Sequence, residues 1–267
     1  MGRRNWDDQE IERMLEIKNL SVRYAGRLED TVSSFSLRVP KGQVVALLGP
    51  TGSGKSSILH GMIGALEANV ATVSGELMLD GLATAIVSNQ DRPIGIAFQR
   101  PAFFSWLSLA ENVRSMVEAS SAAGSAQTEK FERLDELMAS FGLWEQRDKL
   151  PHQASGGMLA RLNIVRAMCA GERYLLIDES LSGVDEVLRD KIASGIREFT
   201  ANEGRYTLLV THSLYDASSY ADAAFVLSGS PLCEATPVYE FGSALTQSER
   251  MKSLKAECLT RWYGGNA

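Results

Sequence analysis

A glycine-rich loop between an apolar run and a helical pattern constrains the fold of this chain more than any other feature. Residues 43–48 form a nearly continuous apolar run, which predicts a buried strand, and the helical pattern extends over residues 55–66. The loop between them reads Gly-Pro-Thr-Gly-Ser-Gly-Lys-Ser over residues 49–56 and satisfies the pattern G-x-x-x-x-G-K-[ST]. A strand, a glycine loop and a helix in this order predict the beginning of an α/β unit.

The loop has the chemistry of a phosphate site. Its glycines allow successive main-chain N–H groups to point at one anion, and the following helix adds its positive N-terminal end. Lys55 is placed to reach the β- and γ-phosphates of a nucleotide, and the Ser56 hydroxyl is placed to ligate Mg²⁺. The predicted nucleotide-binding residues of this region are Gly49, Pro50, Thr51, Gly52, Ser53, Gly54, Lys55, Ser56 and Ser57.

Two carboxylates end a second apolar run. Residues 174–177 read Tyr-Leu-Leu-Ile, and Asp178 and Glu179 follow directly. Since α/β sheets bind their ligands at the carboxyl ends of strands, the acidic pair is expected at such an edge. Asp178 is predicted to hold Mg²⁺, and Glu179 to take a proton from the attacking water or to orient it. A plain surface acidic pair is the alternative, which the phosphate loop upstream disfavours.

Strand and helix patterns alternate along the rest of the chain, which predicts an α/β fold. Ser108 and Glu111 have the spacing of a capping box at a helix start, and Gly142 stops an amphipathic pattern over 128–141. These patterns indicate a helical insert at about 103–160. Residues 1–13 are polar and predict a loose arm, and residues 236–267 are expected to form a C-terminal helical tail.

The charge balance and the cysteines limit the partners and sites to consider. The chain has 267 residues, with 27 Lys and Arg against 33 Asp and Glu, so its formal net charge is −6. Since nucleic acids require a basic face, we expect no nucleic-acid partner. The sequence contains no run of about 18 apolar residues, so no membrane-spanning helix is expected. The three cysteines are widely spaced and predict neither a disulfide framework nor a zinc site.

Further motifs follow in a distinctive order. The sequence Ala-Ser-Gly-Gly-Met at 154–158 precedes a helical pattern, so its Ser-Gly-Gly forms a second loop suited to an anion at a helix start. Gln99 ends the stretch Ile-Ala-Phe-Gln, Asp185 ends Leu-Ser-Gly-Val-Asp, and His212 ends Val-Thr-His. With the phosphate loop, these motifs resemble those of the ATP-binding subunit of ABC transporters over about 14–230, which places the ATPase domain at 14–235.

The resemblance implies a P-loop NTPase core of ABC type with an antiparallel β subdomain, binding ATP and Mg²⁺. Ser155, Gly156 and Gly157 correspond to the signature, which in this family completes the ATP site of another copy. A head-to-tail dimer with a second cassette is therefore implied. A homodimer is expected, and a different ATPase subunit as the second cassette is the alternative. Gln99 corresponds to the Q-loop glutamine, with an implied role in catalysis and as a metal ligand. The other implied site residues are Tyr24, which stacks on adenine, Asp185 in the D-loop, and the catalytic residues Glu179 and His212.

The chain departs from the family pattern at a few positions. Ala154 stands where the signature usually has Leu, and Met158 stands where it usually has Gln. Ser180 stands where Pro usually follows the catalytic glutamate, and Ala160 where Gln is frequent. None of these departures removes a group that contacts phosphate or metal, so hydrolysis of ATP to ADP and phosphate is still implied.

With one phosphate loop and no predicted membrane span, the chain resembles the peripheral ATPase that docks on separate permease subunits at the cytoplasmic face of the cell membrane. Residues 98–107 resemble the Q-loop of importers for nitrate, sulfonates, taurine and thiamine-type compounds, which implies import of a small solute and a solute-binding protein in the system. Phe103, Phe104 and Trp106 are candidates for docking on a permease helix. Their alternative role is ordinary packing within the insert.

Two other functions stay open as alternatives. An ABC exporter or a lipid-transport ATPase would share the nucleotide motifs, so import is inferred from the likeness of residues 98–107, continued by Glu111, Asn112 and Val113, to importers. A non-transport ABC ATPase acting on nucleic acid is the less favoured alternative. The single phosphate loop, the acidic charge and the lack of sustained heptads between Gln99 and the signature all disfavour it.

Overall fold

The computed structural model of the chain describes residues 14–84, 94–120, 125–171, 173–179, 184, 186–227, 236–241 and 246–263. The chain divides into two compact units. Unit 1 spans Met1–Arg92 and Tyr206–Ala267, and unit 2 spans Pro93–Arg205. The predicted N-terminal arm at 1–13 and the D-loop residue Asp185 lie outside the described residues.

Strands and helices alternate as the sequence predicts. The described strands are β1 (Met14–Tyr24), β2 (Val32–Pro40), β3 (Val44–Leu48), β4 (Ala71–Leu79), β5 (Leu82–Thr84), β6 (Ile94–Ala97), β7 (Tyr174–Asp178), β8 (Tyr206–Thr211), β9 (Ala223–Val226) and β10 (Thr236–Glu240). The described α-helices are α1 (Lys55–Met62), α2 (Leu109–Ser120), α3 (Ser125–Ser140), α4 (Gly156–Ala170), α5 (Glu186–Ala201), α6 (Leu214–Tyr220) and α7 (Gln247–Tyr263).

Unit 1 contains a four-stranded antiparallel sheet in the order β2-β1-β4-β5. Alternate residues of β2 are buried from Phe35 to Val39, and Leu37 pairs with Ile17 of β1, which pairs on its other side with Leu77 of β4. Period-two burial of this kind is what an antiparallel sheet with one covered face requires. The antiparallel β subdomain implied by the resemblance is therefore confirmed.

A second group of strands in unit 1 has the order β10-β9-β3-β8. Strand β3 is parallel to both β8 and β9, and all of its residues are buried. A continuous apolar run is typical of a strand covered on both faces. Helix α1 packs against β1, where a side-chain carbon on Gly61 would lie 3.2 Å from Val22. The phosphate loop thus joins a core strand to a packed helix, as predicted.

The C-terminal stretch contains a strand as well as a helix. Helix α7 packs on α6, and the indole N–H of Trp262 donates a hydrogen bond to the Leu227 carbonyl at 2.9 Å. Before it, β10 pairs antiparallel with β9 at the edge of its group of strands. Thr, Val and Tyr favour strands. Pro237 has no main-chain N–H to donate, and an edge strand tolerates this because one of its sides has no neighbouring strand. The expected helical tail at 236–267 therefore begins with a strand in this structure.

Unit 2 is built around helix α4. Strands β6 and β7 are parallel, with Ile94 opposite Tyr174, and α4 packs against both strands and against α2 and α3. It lies against β6 at Gly95, where a side-chain carbon would lie 1.8 Å from the Ala167 carbonyl oxygen. Only glycine fits at that position. Unit 2 is thus largely helical, and the bounds of the helical insert at about 103–160 stay a prediction.

Local signals set the ends of the helices in the insert. The Glu111 carboxylate accepts a hydrogen bond from the Ser108 N–H at 2.7 Å, and the Ser108 hydroxyl accepts one from the Glu111 N–H at 3.2 Å. This is the predicted capping box, and the hydrogen bonds from Ser108 lower the pKa of Glu111 below its usual range. Helix α3 stops just before Gly142, whose φ of +64° suits glycine.

Among the residues described, no helix combines the length and the apolar character needed to cross a membrane.

Candidate functional site

The phosphate loop of unit 1 has the backbone of an anion cradle. It leaves the buried end of β3 and turns through Gly52 at φ +82° and Gly54 at φ +94° before α1 begins at Lys55. Residues with a side-chain carbon rarely adopt these angles, so glycine is required at both positions. The N-terminal end of a helix carries partial positive charge and N–H groups without intrahelical acceptors, which gives the start of α1 an affinity for anions.

The start of the loop is closely packed. A side-chain carbon on Gly49 would lie 2.9 Å from the Ser53 hydroxyl oxygen and 3.2 Å from the Leu227 side chain. The Ser53 hydroxyl oxygen is itself buried and has no hydrogen-bond partner among the described residues. A buried hydroxyl of this kind costs free energy unless a ligand supplies its partner. The loop therefore fits a bound phosphate group.

Lys55 places a positive charge inside the loop. The side chain is only 4% exposed, and its ammonium group donates hydrogen bonds to the carbonyls of Gly49 and Pro50, each at 2.9 Å. A buried cation is stabilised by an anion, so the loop favours a negatively charged ligand. Ser56 follows at the start of α1 and is half-buried.

Tyr24 is tied to the helix that follows the loop. Its hydroxyl lies 2.9 Å from the Ser57 hydroxyl, and either group can donate. Ser57 is buried on α1, whereas the Tyr24 ring at the end of β1 is half-buried. The predicted adenine-stacking ring and the predicted phosphate helix are therefore joined by a side-chain hydrogen bond within unit 1.

The predicted acidic pair ends strand β7 in unit 2. Asp178 is 2% exposed, and Glu179 is half-buried with a φ of +43°. A residue with a side chain in this left-handed region costs about 1–3 kcal/mol of backbone strain. Such strain is found at functional sites, where it gives a side chain a direction that a regular strand would not allow.

Gln99 and Glu179 lie together in unit 2, although 80 positions separate them in the chain. The amide nitrogen of Gln99 donates a hydrogen bond to the Glu179 carboxylate at 2.9 Å. Gln99 is exposed, and it directly follows Phe98, just beyond the end of β6. Two residues that were predicted to be catalytic are thus brought into contact at the carboxyl ends of two parallel strands.

Residues 98–106, which we call the Gln99 segment, end in an exposed aromatic pair. Phe104 is 48% exposed and Trp106 is 70% exposed, with ring centroids 5.3 Å apart. Phe103 is half-buried, and the Arg166 guanidinium lies 4.8 Å from the centre of its ring. Of the three aromatic candidates for docking, Phe104 and Trp106 are therefore the accessible ones.

The predicted signature begins helix α4. Ser155 is the N-cap, and its hydroxyl accepts a hydrogen bond from the Met158 N–H at 3.3 Å. Ser155 and Gly156 are exposed, and Gly157 is half-buried. Among the described residues, no atom lies within 4 Å of where a side-chain carbon on Gly156 would be. Packing within the chain therefore does not explain the glycine at this position.

Two arginines fix α4 within unit 2. The Arg161 guanidinium donates to the Phe141 carbonyl at 2.6 Å, and the Arg166 guanidinium donates to the Ala102 carbonyl at 2.5 Å. Burial lowers the pKa of both guanidinium groups below their ordinary value. The arginines that follow the signature in sequence therefore hold its helix against neighbouring backbone.

His212 lies in unit 1, directly after β8, and its side chain is exposed. The residues on either side of it are held by Asp216 of α6. The Thr211 hydroxyl donates to the Asp216 carboxylate at 3.3 Å, and the Asp216 N–H donates to the Ser213 hydroxyl at 3.1 Å. The backbone that carries His212 is therefore braced on both sides while the imidazole faces solvent.

The sequence reasoning did not identify Asn163 of α4 or Asn112 of α2. Both are buried, and both donate side-chain hydrogen bonds to main-chain carbonyls of the stretch around the Gln99 segment. The available signal was a polar residue inside an apolar helical stretch, since Asn163 stands between Leu162 and Ile164. A buried amide must find partners, so it marks a tertiary contact.

Comparison with known proteins agrees with this geometry. The model of the family described as ABC transporter matches residues 32–182. The aliphatic sulfonates import ATP-binding protein SsuB 1 of Xanthomonas axonopodis is 34% identical over 79% of this chain and 82% of its own length. The taurine import ATP-binding protein TauB of Roseobacter denitrificans is 30% identical over 81% of this chain and 78% of its own length.

A solved structure gives the same result for the fold. It is an ATP-binding cassette described as the dimeric post-hydrolysis state bound to ADP and Pi. The two chains are 25% identical, with a TM-score of 0.72, and the match covers 86% of this chain and 100% of the cassette. This chain therefore belongs to the ABC transporter family and is one of its ATPase cassettes.

Proposed function

We propose that this chain is the motor subunit that drives import of a small solute through separate membrane permease subunits. One observation carries the proposal. The Gln99 segment has the Gln99 amide on the Glu179 carboxylate at one end and the exposed Phe104–Trp106 pair at the other. A single short segment thus joins the predicted hydrolytic residues to a surface suited to a protein partner.

In the proposed reaction, Glu179 takes a proton from the attacking water, and the Gln99 amide holds the carboxylate in place. Lys55 and the loop N–H groups bind the β- and γ-phosphates, and Tyr24 stacks on the adenine ring. His212, exposed beyond β8, donates a hydrogen bond to the charge that develops on the transferred phosphoryl group. Lys55 is buried within its loop, whereas the Gln99 and His212 side chains are exposed. These exposures support the roles proposed for them.

The proposed metal ligands fit Mg²⁺ by their chemistry. Ser56 offers a hydroxyl oxygen, Asp178 a carboxylate and Gln99 an amide oxygen, and Mg²⁺ prefers oxygen ligands together with substrate phosphates. Asp178 is almost fully buried at a strand end, as a carboxylate that is paired with a cation can be. When bound, the ion neutralises charge on the phosphates.

We further propose that two copies of the chain complete each other's sites head to tail. The exposed Ser155 and Gly156 at the start of α4, with open space around Gly156, support this arrangement. In such a dimer the signature of one copy binds the γ-phosphate held by the phosphate loop of the other. ATP then favours the closed pair and hydrolysis releases it.

A mixing experiment tests the shared site. Ser155→Arg blocks the signature and leaves the phosphate loop intact, whereas Lys55→Ala damages only the phosphate loop. Each variant alone should lose most of its ATP hydrolysis, and mixing them should restore part of it, because one composite site in the mixed dimer is intact. Full activity of Ser155→Arg alone would refute the role of the signature.

The docking surface is proposed to be Phe104 and Trp106. Aromatic side chains of this kind anchor protein interfaces, and both are more exposed than core packing would allow. Phe103 lies against Arg166 and is the candidate for packing within the insert. Docked in this way, the chain works as a peripheral subunit at the cytoplasmic face of the membrane, together with a solute-binding protein.

The proposed solute class follows the similar relatives, whose names give aliphatic sulfonates and taurine as cargo. Residues 98–107 independently resemble importers of small sulfonates, nitrate and thiamine-type compounds. If deletion of the gene leaves uptake of all of these compounds unchanged, the solute class is wrong, while the motor role still stands.

The double variant Phe104→Asp with Trp106→Asp tests docking. It should keep its melting temperature and its ATP affinity, but leave the membrane fraction and fail to support uptake. Leu82→Asp is the matched control, because Leu82 is an exposed apolar residue of unit 1 at 73% exposure. The control should stay membrane-associated. If the double variant loses stability and nucleotide binding together, the aromatic pair only packs the insert.

A further inference from the structure

The Gln99 segment is tied to one face of α4 on both sides of Gln99. The side-chain amide of Asn163 donates a hydrogen bond to the Phe98 carbonyl at 2.7 Å. The Arg166 guanidinium donates to the Ala102 carbonyl at 2.5 Å. Asn163 and Arg166 are three residues apart on the helix, so they lie on the same face. The backbone that carries Gln99 therefore spans two fixed points on a single helix.

The two ties also support each other. Arg166 donates a second hydrogen bond to the Asn163 side-chain oxygen at 3.1 Å, and its guanidinium lies over the Phe103 ring. Asn163 is 0% exposed, so both ends of its amide are used inside the protein. Removing the amide would weaken the hold on Phe98 and leave the Arg166 side chain less constrained.

Gln99 itself depends on this hold. Its side chain is exposed, and its amide donates a hydrogen bond to the Glu179 carboxylate. The position of the Gln99 amide is therefore set by its backbone, and Phe98 is the residue directly before it. A displacement of about 1 Å at a catalytic group can lower a rate by up to a hundredfold.

We propose that Asn163 is a positioning residue, which holds the backbone at Phe98 so that the Gln99 amide lies on the Glu179 carboxylate. This inference rests on the proposed function, since it assigns how one of the proposed catalytic residues is placed. It adds a residue outside the phosphate loop, the acidic strand end and the signature. Asn163 acts through Gln99 and does not itself touch the nucleotide.

A double-mutant cycle tests whether Asn163 acts through Gln99. In the purified full chain, Asn163→Ala should lower kcat for ATP hydrolysis by about tenfold to a hundredfold, with little change in KM. In a Gln99→Ala background, the same substitution should change kcat by less than about twofold. A merely structural role would lower the melting temperature and would reduce kcat by the same factor in both backgrounds, which would overturn the proposal.

Two further variants distinguish a positioning role of Asn163 from a purely structural one. Asn163→Asp retains the acceptor for Arg166 but replaces the donor to Phe98 with a carboxylate oxygen, so it should lower kcat as much as Asn163→Ala does. Wild-type kcat in Asn163→Asp contradicts the proposal even if Asn163→Ala does not fold. Thr200→Ala is the control, because the fully buried Thr200 hydroxyl donates to the Ile196 carbonyl at 2.7 Å in the same unit. It should lower the melting temperature and leave kcat unchanged.

Amide hydrogen exchange supplies a readout that does not depend on hydrolysis. A peptide covering 98–102 should exchange faster in Asn163→Ala and Asn163→Asp, and at the wild-type rate in Thr200→Ala. Unchanged exchange in both Asn163 variants overturns the proposal. Full turnover in Glu179→Gln, by contrast, would refute the proposed role of Glu179, so the two failures are distinguishable.

Discussion

The phosphate loop of unit 1 and the Gln99 segment of unit 2 are held in place by different means. The loop is fixed by its own backbone and by close packing, with glycines at positive φ and a buried Lys55 bonded to loop carbonyls. The Gln99 segment is exposed and is fixed from outside, by side-chain hydrogen bonds from Asn163 and Arg166. Binding geometry is therefore built into the first region, whereas the second region depends on contacts that can be exchanged.

The two regions also differ in the kind of interaction that opposes their displacement. A single hydrogen bond contributes about 0.5–1.5 kcal/mol net, so the Gln99 segment can shift when a ligand or partner offers equivalent bonds. A steric constraint like that at Gly49 allows no such exchange, because a side chain there would lie 2.9 Å from the Ser53 hydroxyl. Unit 1 is thus suited to holding a nucleotide, and the Gln99 segment is suited to responding to one.

The largest expected effect concerns the contact between β6 and α4 of unit 2, which we expect to be rigid. Gly95→Ala would place a carbon 1.8 Å from the Ala167 carbonyl oxygen, so β6 and α4 must separate. Overpacking of this kind costs about 1–3 kcal/mol or more, and we expect the upper end or beyond. Urea unfolding measures the change. A cost below about 0.5 kcal/mol would mean that the contact beneath the Gln99 segment is also adjustable.

A pair of glycine substitutions compares the phosphate loop with the signature. Gly49→Ala should weaken ATP affinity and lower the melting temperature, because the loop must deform around the new methyl group. Gly156→Ala has open space and should leave the melting temperature unchanged or slightly raised, since alanine favours a helix. It should nevertheless lower ATP hydrolysis if the signature faces a phosphate of another copy.

Calorimetric ATP titration and steady-state hydrolysis separate the two glycine variants. Loss of stability in Gly156→Ala would show that this glycine serves packing within the chain. Full ATP affinity in Gly49→Ala would show that the loop is less rigid than its packing indicates.

A smaller effect is expected at Tyr24. Ser57→Ala removes the hydroxyl that lies 2.9 Å from the Tyr24 hydroxyl and leaves the loop glycines and Lys55 unchanged. The ring should then be less well oriented, and ATP affinity should fall by a few fold, in line with about 0.5–1.5 kcal/mol for one hydrogen bond. Titration with ATP and with inorganic triphosphate distinguishes the cause, because only the ligand with a base should be affected.

Most elements near the site could be predicted from the sequence. The residues of β3, β7 and β8 form short, largely apolar runs. Runs of this kind are typical of parallel strands that are buried on both faces. The capping box at Ser108 and Glu111 was also predictable, because its two hydrogen bonds join residues only three positions apart. Strand β10 was not predicted, since its pairing with β9 is a tertiary contact and its sequence has no strong periodicity.

The residues of the candidate site also fall into a group that the sequence predicts and a group that it does not. The loop glycines, Lys55 and the acidic pair follow from motifs whose residues are adjacent in sequence. The contacts made by Asn163 join residues 65 positions apart, and the Gln99–Glu179 contact joins residues 80 apart. Spacing along the chain carries no information about such pairs, so the hold on the Gln99 segment became visible only in the folded structure.

Turnover and binding measured on Glu179→Gln test the central claim most directly. The substitution keeps the shape of the side chain, and the amide cannot take a proton from water. Steady-state ATP hydrolysis of the purified chain should therefore fall by about 10²–10⁴-fold, while ATP affinity stays at the wild-type value because the phosphate loop is untouched. Near-normal hydrolysis with unchanged affinity would contradict the account, since the carboxylate held by Gln99 would then not be the catalytic one.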